Sequence, residues 1–370
     1  DDFMVVSELI GADIPFLKKY FDALSDIDKK HIQGRIDSIR SKYNSIKSLR
    51  APKYFKTQVD PMFFCFEDLP FFGKEYWFMK FTPTTPRDSR QLLAMFGRAT
   101  EDLEINGKKI SSKKSENSCI GFMSSWYFDQ KKKDVVDDKC EIKISGGNIE
   151  SDSSSAKIIM RGKFPAYKLV IKKGGRDVCN LKITKPAKSE DAFEFESFFK
   201  AFAGFALINL NFNFSGKLSG KKIVGKCYVQ KVIVIGPLVP WYWGRITFEN
   251  GSVLKYYLPR IELMGVDYKL LSQFNFYDSR TGKRHSFNGL SVKKIGGDLP
   301  RFIVSDSIGN ISLIIDTYSS HKFMFKKIGT FNYAEFLGKV KYMYVSGKKI
   351  DVSKLGSGIG LVEEANGYVL

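Results

Sequence analysis

The chain of 370 residues is poor in the side chains on which metal and hydrolytic chemistry usually depends. Its three histidines, His31, His285 and His321, lie far apart in sequence, which does not favour a three-histidine metal site. A Gly-x-Ser-x-Gly nucleophile elbow is missing, because in "GSGIG" at 356–360 the serine stands one place too early. The same stretch lacks the third glycine of a dinucleotide fingerprint. We therefore expect neither a metal nor a cofactor.

Cysteine is scarce and unpaired in its spacing. The chain has five cysteines, an odd number, and none forms a Cys-x-x-Cys pair. This pattern argues against a zinc site or a disulfide framework and fits a reducing compartment. No apolar run reaches the roughly 18 residues that span a bilayer. A cytoplasmic location is predicted, while the first residue, Asp1, leaves a removed leader open.

Charge of one sign is in large excess. The net charge is +19, from 59 basic and 40 acidic residues, a balance that attracts nucleic acid or anionic membranes. Lysine pairs recur at predicted hairpin tips (106–109, 219–222 and 346–349), where solvated turns are the simplest interpretation. Lysine also outnumbers arginine, the residue that base readout favours. We predict solubility or peripheral contact with an anionic membrane, and no specific nucleic-acid binding.

The first 50 residues carry a helical pattern. Ile32, Ile36, Ile39 and Tyr43 recur at spacings of three to four, which gives one apolar stripe. Ser25 and the aspartate after it are candidate N-caps for this helix. The pattern predicts an N-terminal helical segment over residues 1–55 that packs onto the main body.

From about residue 60 the pattern changes to β. In "INLNFNFSG" the apolar Ile208, Leu210, Phe212 and Phe214 alternate with asparagines, as in a half-buried strand. Turn residues recur every 8 to 14 positions, and no helical stretch alternates with the strands. This arrangement is typical of an antiparallel sandwich or barrel, so we predict a mainly β fold.

Several carboxylates lie among aromatic residues. We take Glu363, Asp129 and Glu249 as candidate catalytic acids, from a set that also includes Glu67 and Glu262. A carboxyl group in an apolar pocket has a raised pKa and can act as a general acid. Aromatic faces around it could stabilise a carbocation. For each residue alone, a solvated strand face or turn is the alternative.

Three motifs carry a family resemblance. They are "GKCYVQ" at 225–230, Trp243-Gly244 with its turn at Asn250-Gly251-Ser252, and "GLVE" at 360–363 followed by Gly367-Tyr368. Together with the stretches at 126–129 and 164–169, they resemble proteins built from two lipocalin-like barrels. That family includes carotenoid 1,2-hydratase (hydroxyneurosporene synthase) and related isoprenoid cyclases. The resemblance spans residues 60–370.

The resemblance implies two lipocalin-like, calycin-like antiparallel barrels, at 56–190 and 191–370, with exchange of strands between them allowed. It implies a hydrophobic isoprenoid or lipid ligand and acid-catalysed hydration or cyclisation. One departure matters, because the hydratase pattern has an acid where this chain has Gln230. Glutamine cannot donate a catalytic proton, so the chain is either a binder or uses another carboxylate.

Strand periodicity also predicts a ligand site. Tyr228 and Gln230 share one strand face, and Trp241 and Trp243 share another. Proline and glycine between the two strands allow the chain to turn and bring these faces together. With Trp126, we expect these residues to line an apolar cavity between the two halves or inside one barrel. The alternative is that the tryptophans plug a barrel too narrow for a ligand.

Three functions follow from these patterns. The leading hypothesis is binding, with acid-catalysed modification, of a hydrophobic small molecule. The second is a non-catalytic lipid carrier of the same fold. The third is a basic nucleic-acid-binding protein that stacks bases on exposed aromatics. The sequence indicates neither the ligand, nor whether chemistry occurs, nor the oligomeric state.

Overall fold

The structure is a computed structural model that describes residues 73–369, apart from gaps at 112, 116–117, 131, 146–147, 186–192, 201–202, 237, 264–265, 270–271 and 328. The predicted helical segment at 1–55 lies outside these residues. In the described part, the only helix is a single turn, α1, which spans Val352–Leu355. The Asp351 side chain caps it by accepting a hydrogen bond from the Ser353 backbone N–H.

The rest of the described chain is dominated by β-strands, which confirms the predicted mainly β fold. The strands are β1 (Gly73–Pro83), β2 (Gln91–Ala99), β3 (Leu103–Ile105), β4 (Lys108–Ile110), β5 (Ser118–Phe128), β6 (Lys133–Ser145), β7 (Asn148–Asp152), β8 (Ala156–Lys163), β9 (Ala166–Lys173), β10 (Arg176–Thr184), β11 (Phe193–Lys200), β12 (Ala203–Leu218), β13 (Lys221–Ile235), β14 (Trp241–Phe248), β15 (Val253–Leu263), β16 (Val266–Lys269), β17 (Gln273–Asp278), β18 (Lys283–Asn288), β19 (Leu290–Ile295), β20 (Arg301–Asp306), β21 (Ile311–Lys327), β22 (Gly329–Val345), β23 (Lys348–Lys349) and β24 (Gly358–Gly367).

The first sheet closes into a barrel of ten antiparallel strands. Its order is β10-β9-β8-β7-β6-β5-β2-β1-β13-β12, and β10 pairs again with β12 to complete the ring, while β11 continues from β12. Side chains alternate between the two faces of each strand, so Trp77, Met79 and Phe81 of β1 enter the barrel core. Closure leaves no free edge among these ten strands.

The second sheet is antiparallel and follows the order β18-β17-β15-β14-β24-β22-β21-β20-β19. Its two end regions contribute to one apolar core, which contains Phe274 of β17 and Leu290 of β19 together with Phe248, Tyr256 and Phe302. This shared core makes the second sheet barrel-like.

The two sheets exchange strands. β11, β12 and β13, which follow residue 190, belong to the first sheet, so the chain passes from one sheet to the other at 236–240. In the opposite sense, the β3–β4 hairpin of the first half pairs with β21 of the second sheet. The division of the chain into barrels at 56–190 and 191–370 stays a prediction.

The outer face of the first barrel packs against the outer face of the second sheet. Phe78, Leu93 and Trp126 of the first sheet form one buried cluster with Leu337 and Leu361 of the second. A second cluster joins Phe122 to Phe323, whose rings meet edge to face. The layer between the two outer faces holds the candidate site.

Candidate functional site

A row of four side chains crosses the second sheet. Trp243 of β14 lies directly opposite Glu363 of β24, Glu363 lies opposite Glu335 of β22, and Glu335 lies opposite His321 of β21. Residues directly opposite one another in antiparallel strands point to the same face of the sheet. All four therefore face the first barrel, and two of them are carboxylic acids side by side.

Glu335 is 1% exposed and fully hydrogen-bonded. Its Oε2 accepts a hydrogen bond from Trp126 Nε1 at 2.7 Å, and its Oε1 accepts one from the Tyr333 hydroxyl at 2.8 Å. Burial, followed by the charge of Glu363, raises the pKa of Glu335 to about 7. The positive field of His321 and the two donors oppose this rise but do not cancel it.

Glu363 lies beside it and accepts a hydrogen bond from Trp241 Nε1 at 3.0 Å. Burial raises the pKa of Glu363 to about 7, against hydrogen bonds from Trp241 and Tyr333 and the charge of Lys80. Directly opposite residues have Cβ atoms about 5 Å apart, so the charge on one carboxylate disfavours ionisation of the other. Near neutral pH the pair therefore retains a proton, and its two titrations are coupled.

Lys80 of β1 is buried in the same layer. Its Nζ donates to the Arg245 carbonyl oxygen at 2.9 Å. Burial first, and then the positive charge of Arg245, lower the pKa of Lys80 well below its usual range, while Glu363 acts in the opposite direction.

The predicted ligand residues of β13 and β14 meet across the layer. Tyr228 and Gln230 share a face, as predicted: the Gln230 amide donates to the Tyr228 hydroxyl at 2.8 Å, and that hydroxyl donates to Asn209 Oδ1 at 2.6 Å. The Tyr228 ring stacks on Trp243, with centroids 5.9 Å apart and planes inclined by 28°. The Arg245 guanidinium lies 4.3 Å from the centre of the Tyr228 ring.

Trp241 and Trp243 also share a face, since Tyr242 between them points the other way and packs on Phe302 of the second core. Trp241 lies on the Tyr333 ring, at a centroid distance of 5.6 Å. Both tryptophans therefore line the layer between the sheets and not the interior of either barrel. Because Trp241, Trp243 and Gln230 are only half-buried, this edge of the layer reaches solvent.

Close packing explains the glycine of the Trp-Gly motif, Gly244. The Tyr256 ring of β15 lies against Gly244, and a Cβ atom at Gly244 would come within 2.3 Å of that ring. A residue with a side chain at this position would require the Tyr256 ring to shift. The motif thus fixes β14 tightly on β15 and holds Trp243 in register with Glu363.

Of the other sequence candidates, only Trp126 lies at the site, where its indole N–H donates a hydrogen bond to Glu335. Asp129 lies in the turn after β5, where it accepts hydrogen bonds from the Lys132 backbone N–H and the Tyr127 hydroxyl. Glu249 follows the far end of β14, six residues or about 20 Å from Trp243. The structure thus pairs Glu363 with Glu335 and not with Asp129 or Glu249.

Sequence reasoning missed Glu335, His321 and Lys80. A signal for Glu335 exists, because Phe331, Tyr333, Glu335 and Leu337 alternate with other residues in β22 and share its buried face. A lone acid in an apolar series with period two is the pattern that could have found it. His321 and Lys80 show no comparable pattern, because long-range register alone brings them to the layer.

Two further properties of the described residues bear on function. No cluster of three or more histidine, cysteine, aspartate or glutamate side chains in this part of the chain could hold a metal ion. None of its helices combines the length and apolar character needed to cross a membrane.

No family model and no curated protein matches the sequence. Among similar solved structures is one assigned as AttH from Nitrosomonas europaea, at TM-score 0.46 and 12% identity, covering 79% of this chain and 92% of that one. Others are CghA with Sch210972 (TM-score 0.45, 10% identity, 80% and 88% covered) and kievitone hydratase from Nectria haematococca (TM-score 0.40, 10% identity, 79% and 88% covered). At these scores and identities, the likeness assigns neither activity nor site residues to this chain.

Proposed function

We propose that the layer between the two sheets binds a hydrophobic, chain-like small molecule and that the Glu335–Glu363 pair donates a proton to it. The observation that carries this proposal is the direct opposition of two buried carboxyl groups whose pKa values are both raised to about 7. An acid that holds its proton at neutral pH, with aromatic rings beside it, has the properties of a general acid for an alkene.

Glu363 is the better placed donor, because it lies next to the half-buried tryptophans. Its O–H bond breaks as a C–H bond forms on one carbon of the alkene, and the π electrons leave a carbocation on the other carbon. The faces of Trp241 and Trp243 would stabilise that cation. Water then adds to the cation and returns a proton to Glu363, or an internal double bond closes a ring and a neighbouring C–H bond supplies that proton.

The ligand class follows from the sequence resemblance, which implies an isoprenoid- or lipid-like molecule, and from the chemistry of the layer. Trp241, Trp243 and Tyr228 offer apolar and π surface, while Gln230 adds one amide for orientation. Such a mixture of aromatic walls with few polar groups is typical of small-molecule sites.

A non-catalytic carrier is the second candidate, and one observation favours it. Trp241, Trp243 and Gln230 are half-buried, whereas Glu335 is 1% exposed. A ligand held at the tryptophan edge could therefore remain outside the acid pair. In that case the carboxyl groups serve only to hold the two sheets together.

Infrared difference spectroscopy across a pH titration tests the acid directly, because a protonated carboxyl group has its own carbonyl stretch. We expect a band that titrates near neutral pH in the natural protein and is altered in E335Q and E363Q. Glu249→Gln is the matched control, since that glutamate lies away from the row and should leave the band unchanged. Absence of the band in the natural protein would overturn the acid role.

Native mass spectrometry separates the two candidates. A co-purifying apolar molecule that is retained unchanged in E363Q and in the natural protein supports a carrier. A molecule that is held by E363Q and released in altered form by the natural protein supports catalysis. No bound molecule and no binding of a retinoid or isoprenoid probe contradicts both.

A further inference from the structure

The acid row ends at its other edge in a histidine that is tied to the first barrel. His321 Nε2 lies 3.0 Å from the carboxylate of Asp137 on β6. The side chains are 10% and 15% exposed, respectively, so this edge is close to solvent. Within the sheet, His321 lies directly opposite Glu335. Tryptophans thus border one end of the row, and a histidine–aspartate pair borders the other.

A buried hydroxyl lies in the same layer. Ser124 of β5 is directly opposite Asp137 of β6 and is 1% exposed. Its Oγ has no hydrogen-bond partner among the described residues. A serine hydroxyl can both donate and accept a hydrogen bond, so it is able to pass a proton along a hydrogen-bonded chain.

From this geometry we propose that His321, held by Asp137, exchanges protons between solvent and the Glu335–Glu363 pair. The proposal rests on the proposed function, since it restores the protonated form of the pair from which Glu363 donates. Histidine is the side chain that ordinarily changes charge between about pH 5 and 8. The Asp137 carboxylate fixes the Nε2–H, which leaves Nδ1 as the exchanging atom.

The proton balance of the step is simple. Protonated His321 gives its Nδ1 proton to the ionised carboxylate of the pair, directly or through the Ser124 hydroxyl and a water. The imidazole becomes neutral and the carboxylate becomes a carboxylic acid. His321 then takes a proton from solvent at its exposed edge, so one proton moves inward for each one that the pair has lost to solvent, while the proton used in a turnover returns to Glu363 from the reacting molecule.

Other polar and charged groups lie around the His321–Asp137 pair. From β6, Lys133 Nζ donates to the Ser320 carbonyl oxygen. From the β3–β4 turn, Asn106 Nδ2 donates to Asp137 Oδ2 at 3.1 Å, and Lys108 Nζ donates to the Asp137 carbonyl oxygen at 2.6 Å. From β22 and β24 the acid pair itself faces the ring.

Uncharged rings pack around the same histidine and fix its position. Trp126 of β5 lies 5.9 Å away and Phe323 of β21 lies 4.4 Å away, measured between ring centroids. The rings leave Asp137 and the acids as the anionic groups that a proton on His321 would meet. Ligand and proton would then approach the acid pair from opposite edges of one layer.

A pH-jump experiment with infrared detection tests the route without a substrate. After a rapid pH change, the carboxylic carbonyl band of the pair should reappear quickly in the natural protein. In His321→Phe, which keeps a ring between Trp126 and Phe323, we expect the rate to fall at least tenfold, with partial recovery on addition of imidazole. Asp137→Asn should also slow the rate, because the carboxylate would no longer hold the proton of His321 on Nε2.

His285→Phe is the matched control. That histidine of β18 stacks on Phe276 and bonds Ser346, away from the row, so its loss should leave the rate unchanged. An unchanged rate in His321→Phe, with the band present, would overturn the proton route and leave the acid pair intact. Absence of the band in the natural protein would instead contradict the proposed function. Circular dichroism of each variant establishes that the β fold is retained.

Discussion

Glu335 and Glu363 lie directly opposite one another on β22 and β24, yet their indole donors come from different sheets. Trp126 of the first barrel bonds Glu335, and Trp241 of the second sheet bonds Glu363. The acid pair therefore joins the two halves at the level of individual hydrogen bonds. Changes in its ionisation should therefore alter the stability of the whole molecule.

The pair should make stability depend on pH. Each carboxyl has a pKa near 4.5 when unfolded and about 7 when folded, so the folded state binds more protons between these values. The stabilisation is complete below about pH 4.5 and is lost as pH rises through 7. Relative to a Glu335→Gln, Glu363→Gln double variant, the natural protein should lose on the order of 3 kcal/mol for each carboxyl group over this window. Denaturant titrations at pH 5 and pH 8 measure the difference, and parallel profiles would contradict the raised pKa values.

Replacement of Trp126 by phenylalanine should act most directly on Glu335. The indole N–H is lost while most of the ring remains, so the Glu335 carboxylate loses a donor that stabilises its ionised form. We expect a further rise of the Glu335 pKa and a loss of about 1–3 kcal/mol in the free energy of unfolding at pH 8. At pH 5, where the acid is protonated, the loss should be smaller. Equal losses at both pH values would show that Trp126 matters only for packing.

Replacement of both Trp241 and Trp243 by alanine should abolish binding of a retinoid- or isoprenoid-like probe. The double variant removes the apolar surface at the half-buried edge of the layer, which could contribute a few kcal/mol to ligand binding. Fluorescence titration measures binding, and circular dichroism verifies that the β fold survives. Tyr242→Phe, whose ring points into the second core, is the control and should bind normally. Undiminished binding by the double variant would contradict the site assignment.

A buried ion cluster inside the first barrel should be essential for stability. Glu75 Oε1 lies 2.5 Å from Arg98 Nε, and its Oε2 lies 2.5 Å from Lys231 Nζ. The Lys231 ammonium also lies 3.2 Å from the centre of the Trp77 ring, and burial lowers the pKa of Lys231 to about 8. Glu75→Gln removes the buried carboxylate that pairs with both cations and should reduce the free energy of unfolding by about 3–5 kcal/mol.

Glu150→Gln supplies the comparison for this cluster. Glu150 forms its ion pairs with Lys157 and Arg161 on the barrel surface, where such pairs contribute about 0–1 kcal/mol. Guanidinium chloride titration of both variants measures the contrast. Similar midpoints for the two variants would show that the cluster is dispensable.

The positive surface should not give sequence-selective nucleic-acid binding. Lys108, Lys221 and Lys348 lie at or beside exposed hairpin tips, on separate strands, and do not form a reading helix. We expect weak binding to oligonucleotides that falls steeply with salt. Sub-micromolar, sequence-selective binding at physiological salt would contradict this prediction.

Local periodicity predicted much of this structure. The alternation at 208–214 places Ile208, Leu210, Phe212 and Phe214 in the first core, as expected. The shared faces of the 228/230 and 241/243 pairs were predicted for the same reason, because period two is a property of each strand alone.

Periodicity within a strand does not predict which strands pair with one another. Glu335 and Glu363 are brought together by the β22–β24 register, and Lys80 reaches the layer because it lies on the outer face of β1, where its Nζ meets β14. Long-range pairing is a property of the whole fold and leaves little trace in any short stretch. Asp129 and Glu249 lie in or beside turns, which is the alternative that their local sequence also allowed.

The β3–β4 hairpin has a consequence for how such a chain can be inherited. It is encoded between two strands of the first barrel, but Asn106 exchanges hydrogen bonds with Met324 of β21, and Ile105 is buried with Phe323. A gene fragment that stops at residues 236–240 would encode the hairpin without the strand on which it rests. The hairpin therefore makes the first half of the gene depend on the second half for one of its own packing surfaces.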